Sequence, residues 1–337
     1  MWYAGIDVHW RTSTVCILDE NGKQVKMFTV PGGWRELLER LERLGLPQPW
    51  AVCYEASCGY GYLHERLVRL AARVVVAHPG ALRLIFRAKR KNDRVDAAKL
   101  AKLLFLDQVP AVHVPSADVR SWRMLIEYRS RLIDKRTRCK NGLRTLLRSH
   151  GIAAGRSPWT GKGRAWLAGL EWPSLPARLQ RDLLVAELEQ FNQQVTMVTA
   201  SLDRLARAHP AVGLLRTIPG VGPRTAEAIV AYVDDVRRFA RSRQVSAYLG
   251  LVPSQDASAG VNRLGHITCN GPSTVRKLLV EASWQVIRRC PAVKARFQRL
   301  AGTDKKRRKI ALVAVAAWLA RCMAAMLRSG ETWRQAA

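Results

Sequence analysis

The first third of the chain carries three strand-like runs with hairpin chemistry between them. Tyr3 to Asp7, Thr14 to Leu18 and Gln24 to Val30 are the runs, and Asp19-Glu20-Asn21-Gly22 supplies the turn between the last two. An amphipathic helix is expected over Trp34 to Leu44, then a short apolar strand (Ala51 to Tyr54), a helix (Tyr62 to Ala72) and a buried strand (Val74 to Val76). A chain written this way must build a sheet that starts antiparallel and continues through helical crossovers in parallel.

That succession is the one found in ribonuclease-H-like folds, although order alone also permits other α/β folds. From Ser116 the pattern turns helical. Trp122, Leu125, Leu132, Cys139, Leu143 and Leu146 fall near helical spacing in a segment dense with Arg and Lys. Leu184, Leu188, Phe191, Val195, Val198, Leu202 and Leu205 alternate steps of four and three, a coiled-coil seam that predicts helix pairing within or between chains. Between these helices, residues 155–173 hold three Trp among Gly and Arg, which fits either ordinary packing or stacking on nucleic-acid bases. The last third reads as helical, with Pro219-Gly220-Val221-Gly222 between two helices. There Gly220 and Gly222 could admit a phosphate to a helix N-terminus in the manner of a helix-hairpin-helix, or simply make a tight turn. Three regions are therefore expected: an α/β domain at 1–115, a basic helical region at 116–207, and a mainly helical domain at 208–337.

Charge narrows the partners. With 56 Lys and Arg against 26 Asp and Glu, the net charge is +30, which calls for a polyanion: nucleic acid or an acidic membrane surface. The apolar run Ile310 to Leu327 includes Arg321 and much alanine, which suits a buried helix better than a membrane span. The N-terminal MWYAGIDVHW lacks a basic n-region, so no secretory leader is expected. Seven scattered cysteines without a CxxC pair read as reduced thiols of a cytoplasmic protein. Nucleic acid is then the leading partner and no membrane role is expected. Arg87, Lys89, Arg90 and Lys91 form one concentrated basic run, and Lys305, Lys306, Arg307 and Arg308 another.

Four carboxylates fall where a metal could be held. Asp7 ends the first strand and Glu55 the fourth, while Asp93 and Asp96 are three apart at the start of a helix and share its face. Gathered at one sheet edge, they would repel one another unless cations intervened. Hard oxygen ligands select Mg²⁺ or Mn²⁺, and two such ions about 4 Å apart assist phosphoryl transfer.

GIDVH, YEAS and NDRVDAAKLA, followed by a basic helical region, TIPGVGPRTA and YLGLVPSQDASAG, resemble in order and content the DEDD-type insertion-sequence transposases of the IS110 family. The resemblance covers nearly the whole chain. It implies a RuvC-like nuclease domain whose four acidic positions match Asp7, Glu55, Asp93 and Asp96, and a C-terminal domain with a catalytic serine at Ser258, five residues after Pro253. It further implies DNA recombination guided by an element-encoded bridge RNA that pairs with donor and target DNA. Dimers or tetramers with composite sites are implied as well. The chain departs from the family pattern in two places. Ala259 stands between Ser258 and Gly260, which leaves Ser254 as a competitor, and Trp10 stands where Lys is common, with Arg11 able to take over a phosphate contact.

On this reading Ser258 attacks a scissile phosphate and forms a phosphoserine link, with the carboxylate site or the weaker candidate His266 activating it. Two other readings of the residues remain: a Holliday-junction-type metal-dependent endonuclease in which water attacks, and a nucleic-acid-binding protein with structural carboxylates. An actin-like sugar kinase would also open with an Ile-Asp strand, but Gly-rich phosphate loops are missing.

Overall fold

The chain opens with β1 (Trp2–Val8), β2 (Thr12–Leu18) and β3 (Gln24–Pro31). It continues through α1 (Trp34–Leu44), β4 (Trp50–Glu55), α2 (Tyr60–Leu67), β5 (Arg73–Ala77), α3 (Pro79–Ile85) and α4 (Asp93–Phe105). The structure is a computed structural model that describes residues 1–85, 92–155, 157–258 and 260–334. Two compact units make up the chain, Met1–Arg120 and Ser121–Ala337.

In the first unit the five strands form one sheet in the order β3-β2-β1-β4-β5. β3, β2 and β1 run antiparallel, and β1, β4 and β5 run parallel, as the strand succession required. Alternation along the strands sorts their side chains onto two faces. Ile6, Val15, Val52 and Tyr54 are buried with Leu37 of α1 and Leu63 of α2 on one face. Ala51, Cys53 and Val75 meet Leu100, Leu103 and Leu104 of α4 on the other. Cys16 and Leu18 extend that second face toward Ala97 and Ala101.

α4 crosses β1 unusually closely. A Cβ on Gly5 would overlap the carbonyl oxygen of Ala97 and the amide nitrogen of Ala101. Glycine on the strand and alanines on the helix let the two backbones nearly touch, which fixes the first turn of α4 beside the C-terminal end of β1.

After α4 the chain is mainly helical: α5 (Ala117–Ser149), α6 (Gly161–Ala168), α7 (Leu175–Arg207), α8 (Pro210–Leu215), α9 (Pro223–Val233) and α10 (Ser242–Tyr248). Cys139 of α5 donates through its thiol to Glu187 of α7, Lys135 lies over Phe191, and Arg129 donates to Thr199. Falling numbers on α5 meet rising numbers on α7, so the heptad seam pairs two antiparallel helices of the same chain. Leu188, Val195 and Leu202 of that seam are buried, whereas Leu205 is exposed. Trp159, Trp166 and Trp172 pack around Leu143, Leu147 and Leu167, which gives the Trp-rich segment an ordinary packing role.

The hairpin β6 (Pro253–Ser258) and β7 (Val261–Ile267) interrupts the last third, which the sequence led us to expect as mainly helical with no strand named in it. Its strand residues are exposed except Ile267, so the burial alternation that makes a strand legible is missing. α11 (Ser273–Arg289), α12 (Pro291–Ala301) and α13 (Arg307–Ser329) complete the chain. α13 is the one helix among the described residues long and apolar enough to cross a membrane. Leu312, Val315, Leu319 and Met323 place it in the core of the second unit, as expected for Ile310 to Leu327.

The close crossing predicts a steep response to size at one position. Gly5→Val should lower stability by about 3 kcal/mol, at the upper end of overpacking costs, read as a lower urea midpoint at unchanged m-value. Gly155→Ala, where a Cβ meets nothing within 4 Å, should stay within about 0.5 kcal/mol.

Candidate metal centre and serine hairpin

Gly5 and Asp7 share the face of β1 that α4 covers, two residues apart. Asp7 is therefore aimed at the start of α4, where Asn92 caps the helix by accepting from the amide of Arg94. Asp93 and Asp96 both lie in that first turn, where the helix dipole favours negative charge. His9 Nε2 stands 3.3 Å from Asp7 Oδ2 and 3.9 Å from Asp93 Oδ1. One ligand atom from each of Asp7, His9 and Asp93 lies within 4.8 Å of the other two.

The four acidic candidates do not form a single close set. Glu55 is the last residue of β4, one position past the Ile6–Tyr54 pair, which puts it level with Asp7 on the same face and edge. Asp96 lies 3.5 Å from Lys99 Nζ, one turn further along α4. His9 was missed in the sequence, although its i+2 spacing from Asp7 was the available signal. Two carboxylate oxygens within reach of each other, with Glu55 at the same edge, fit a hard divalent cation. The imidazole can serve as a further ligand.

Ser258 closes β6 at the tip of the hairpin, where it pairs with Val261 and is exposed. Gly260 has φ of +82° in the turn, a conformation glycine adopts freely, while Ala259 lies outside the described residues. Ser254 sits at the other end of β6, with its hydroxyl oxygen 2.5 Å from where a Cβ on Gly265 would be. His266 is also at that far end, five residues along β7 from Val261. At ~3.3 Å per residue this is roughly 16 Å from the tip, so His266 cannot serve as base for Ser258 of its own chain.

Arg11 is exposed at the tip of the β1–β2 hairpin. Arg87, Lys89, Arg90 and Lys91 lie outside the described residues. Lys305, Lys306, Arg307 and Arg308 are exposed at the start of α13. Cations at a helix N-terminus oppose its dipole, so helix stability does not account for them. Gly220, with φ of +95°, has a packing reason: a Cβ would lie 2.7 Å from the backbone carbonyl carbon of Gln285 in α11. Gly222, the N-cap of α9, faces open space.

The second unit also hides a carboxylate that the sequence does not announce. Glu227 lies within the wholly buried stretch of α9, is 1% exposed, and lines a pocket of about 500 Å³ beside Gly220 and Gly222. Arg224 Nη1 is 3.2 Å away, and Arg224 also pairs with Asp203. Burial pushes the Glu227 carboxyl up to about 7, with Arg224 and Arg129 pulling it down and Asp203 adding to the rise.

Two family models match the chain. One, described as the transposase IS116/IS110/IS902 family, covers residues 212–298, and one for DEDD-type IS110 transposases covers residues 4–152. A Pseudomonas aeruginosa protein named "Probable family 20 transposase" is 30% identical over 299 residues, spanning 85% of this chain and 86% of its own. The "Transposase for insertion sequence element IS1111A" of Coxiella burnetii is 26% identical over 291 residues, 84% of this chain and 77% of its own. The Thermus thermophilus RuvC structure aligns over 33% of this chain and 100% of its own at TM-score 0.25 and 15% identity, a likeness too slight to bear on the fold.

Glu227 gives the second unit a pH signature. Its folded pKa is raised from 4.5 to about 7, so its contribution to stability is fully present below the lower value and lost as pH rises through the higher. Wild-type stability should fall by roughly 3 kcal/mol across that window. Glu227→Gln should lack this fall, measured as urea unfolding at a series of pH values.

Proposed function

The chain belongs to the IS110-type insertion-sequence transposases, and from that premise we propose that it cuts and rejoins DNA through a serine–DNA covalent intermediate at a metal-assisted site, guided by an RNA from its own element. Asp7, Asp93, Glu55 and Asp96 would hold Mg²⁺ or Mn²⁺. The observation that carries the reading is the approach of Asp7 and Asp93 at the sheet edge, with Glu55 level with Asp7 on the same face. The sheet order β3-β2-β1-β4-β5 supports a ribonuclease-H-like, RuvC-like assignment for the first domain, with a basic helical region and a serine-bearing domain after it.

In the proposed reaction the Ser258 oxygen forms a bond to phosphorus, the bond from phosphorus to the leaving strand breaks, and the serine proton ends, net, on the leaving oxygen. The phosphodiester is conserved in the phosphoserine link, so resealing needs no ATP. A bound divalent ion would stabilise charge on the phosphate oxygens and on the attacking and leaving oxygens. The place of Ser258 in the last strand pair before the hairpin turn supports it over Ser254, which lies near the far end of β6. Donor and target DNA, the guide RNA and further copies of the chain are the partners this reading requires. The cytoplasm is its compartment, consistent with seven free cysteines.

Ser258→Ala should abolish a denaturation-resistant protein–DNA adduct, seen as loss of a labelled band on a denaturing gel, while DNA binding persists. Asp7→Asn and Asp93→Asn should each lower strand cleavage by at least about 10³-fold, and chelation of divalent metal should do the same. An adduct that survives Ser258→Ala would remove that serine from the mechanism. Cleavage without any adduct would favour attack by water.

A further inference from the structure

Trp10 stands three residues after Asp7 of the candidate metal centre, and the structure gives it unusual surroundings. It shares the tip of the β1–β2 hairpin with Arg11, closed by a 3.0 Å hydrogen bond from the His9 amide to the Thr12 carbonyl. Its side chain is 74% exposed. Its ring stands edge-on to Trp34 at 5.4 Å and 81°. Trp34 in turn stacks on Tyr62 at 6.0 Å and 28°, and the Arg66 guanidinium lies 5.4 Å from the Tyr62 ring.

Trp34 is held in place from below. A Cβ on Gly59, whose φ is +80°, would overlap its ring, so the glycine makes room for the indole and the aromatic row has a fixed base. Trp10 is then a propped, outward aromatic surface three residues from Asp7, within about 11 Å along the backbone. A core role does not explain a residue that exposed; Arg11 follows it in the turn and Arg66 sits at the far end of the aromatic row, charges a phosphate backbone would seek.

We propose that Trp10, backed by Trp34 and Tyr62, is a stacking platform for an unpaired base of the DNA strand whose phosphate lies at the carboxylate centre. The inference rests on the reading of this chain as a DNA-cutting enzyme. An aromatic face accepts any base, because every base has a π-face, so the platform would hold the strand without reading its sequence. It would add a contact to the base, which needs the strand locally unpaired.

The test is binding of the full chain to a short single-stranded DNA of mixed sequence and to its duplex, across a range of salt. Trp10→Ala should weaken single-strand binding by about 5- to 100-fold with an unchanged salt slope, and Trp10→Phe should retain most of the affinity. Arg11→Ala should instead lower the salt slope by about 1. Single abasic positions stepped along the strand should weaken wild type at one place and leave Trp10→Ala indifferent there. Equal affinity of wild type and Trp10→Ala, with wild type still binding DNA, would overturn the platform and leave the enzyme reading standing. So would a Trp10→Ala variant whose only change is its oligomeric state in sedimentation, which would make Trp10 a subunit contact. A wild-type chain that binds no DNA would overturn both.

Discussion

The near-contact of two backbones, β1 at Gly5 and α4 at Ala97 and Ala101, is the constraint on which the first unit turns. A longer side chain on either element would push the helix off the sheet. With the helix pressed down, its first turn has only one place to go, and Asp93 arrives beside the end of β1. The parallel pairing of β1 and β4 then carries Glu55 to the same edge. A divalent centre asks for acidic groups from distant parts of the chain to converge, and packing by the smallest residues brings Asp7 and Asp93 together.

That convergence explains what was legible in the sequence. Asp7 and Glu55 could be found because each ends an apolar strand, and Asp93 and Asp96 because Asn92 and the helical spacing after them mark a helix start. His9 escaped notice because its importance depends on where the hairpin turns, and a two-residue turn at Trp10-Arg11 leaves no glycine or asparagine to announce it. The β6–β7 hairpin escaped for a different reason. Neither of its faces is buried, so period-two alternation, the main strand signal, had no cause to be written there. Glu227 was hidden by its neighbours: one acid inside a nearly continuous apolar helix looks like a solvent-facing residue until the helix is found to be buried all round.

The excess of positive charge has a structural side as well as a binding one. Some cations are buried or paired among the described residues, among them Arg224 with Asp203 and Glu227, Arg120 with Glu65, Arg181 with Asp182 and the Leu167 carbonyl, and Arg123 donating to the Ala231 and Tyr232 carbonyls. Most of the surplus is left on the surface, including the cluster that opens α13 against its own dipole. Self-repulsion of that kind works against a compact state, and it is retained where an external polyanion relieves it.

The two candidate reacting groups also differ in how they are held, which bears on the proposed mechanism. Asp7 and Glu55 sit on a five-stranded sheet clamped by helices on both faces, and Asp93 and Asp96 on one of those helices, a setting that fixes ligand positions. Ser258 sits at the end of a two-stranded hairpin that buries almost nothing, and such a hairpin is marginal by itself in water. Its geometry is therefore completed by whatever it touches. A metal site needs preorganisation before substrate arrives, whereas a nucleophile that would carry a DNA strand through exchange needs freedom to deliver and return it. The contrast between the clamped sheet and the exposed hairpin matches that division of labour, and it predicts that substitutions in the hairpin strands alter the reaction more than they alter stability.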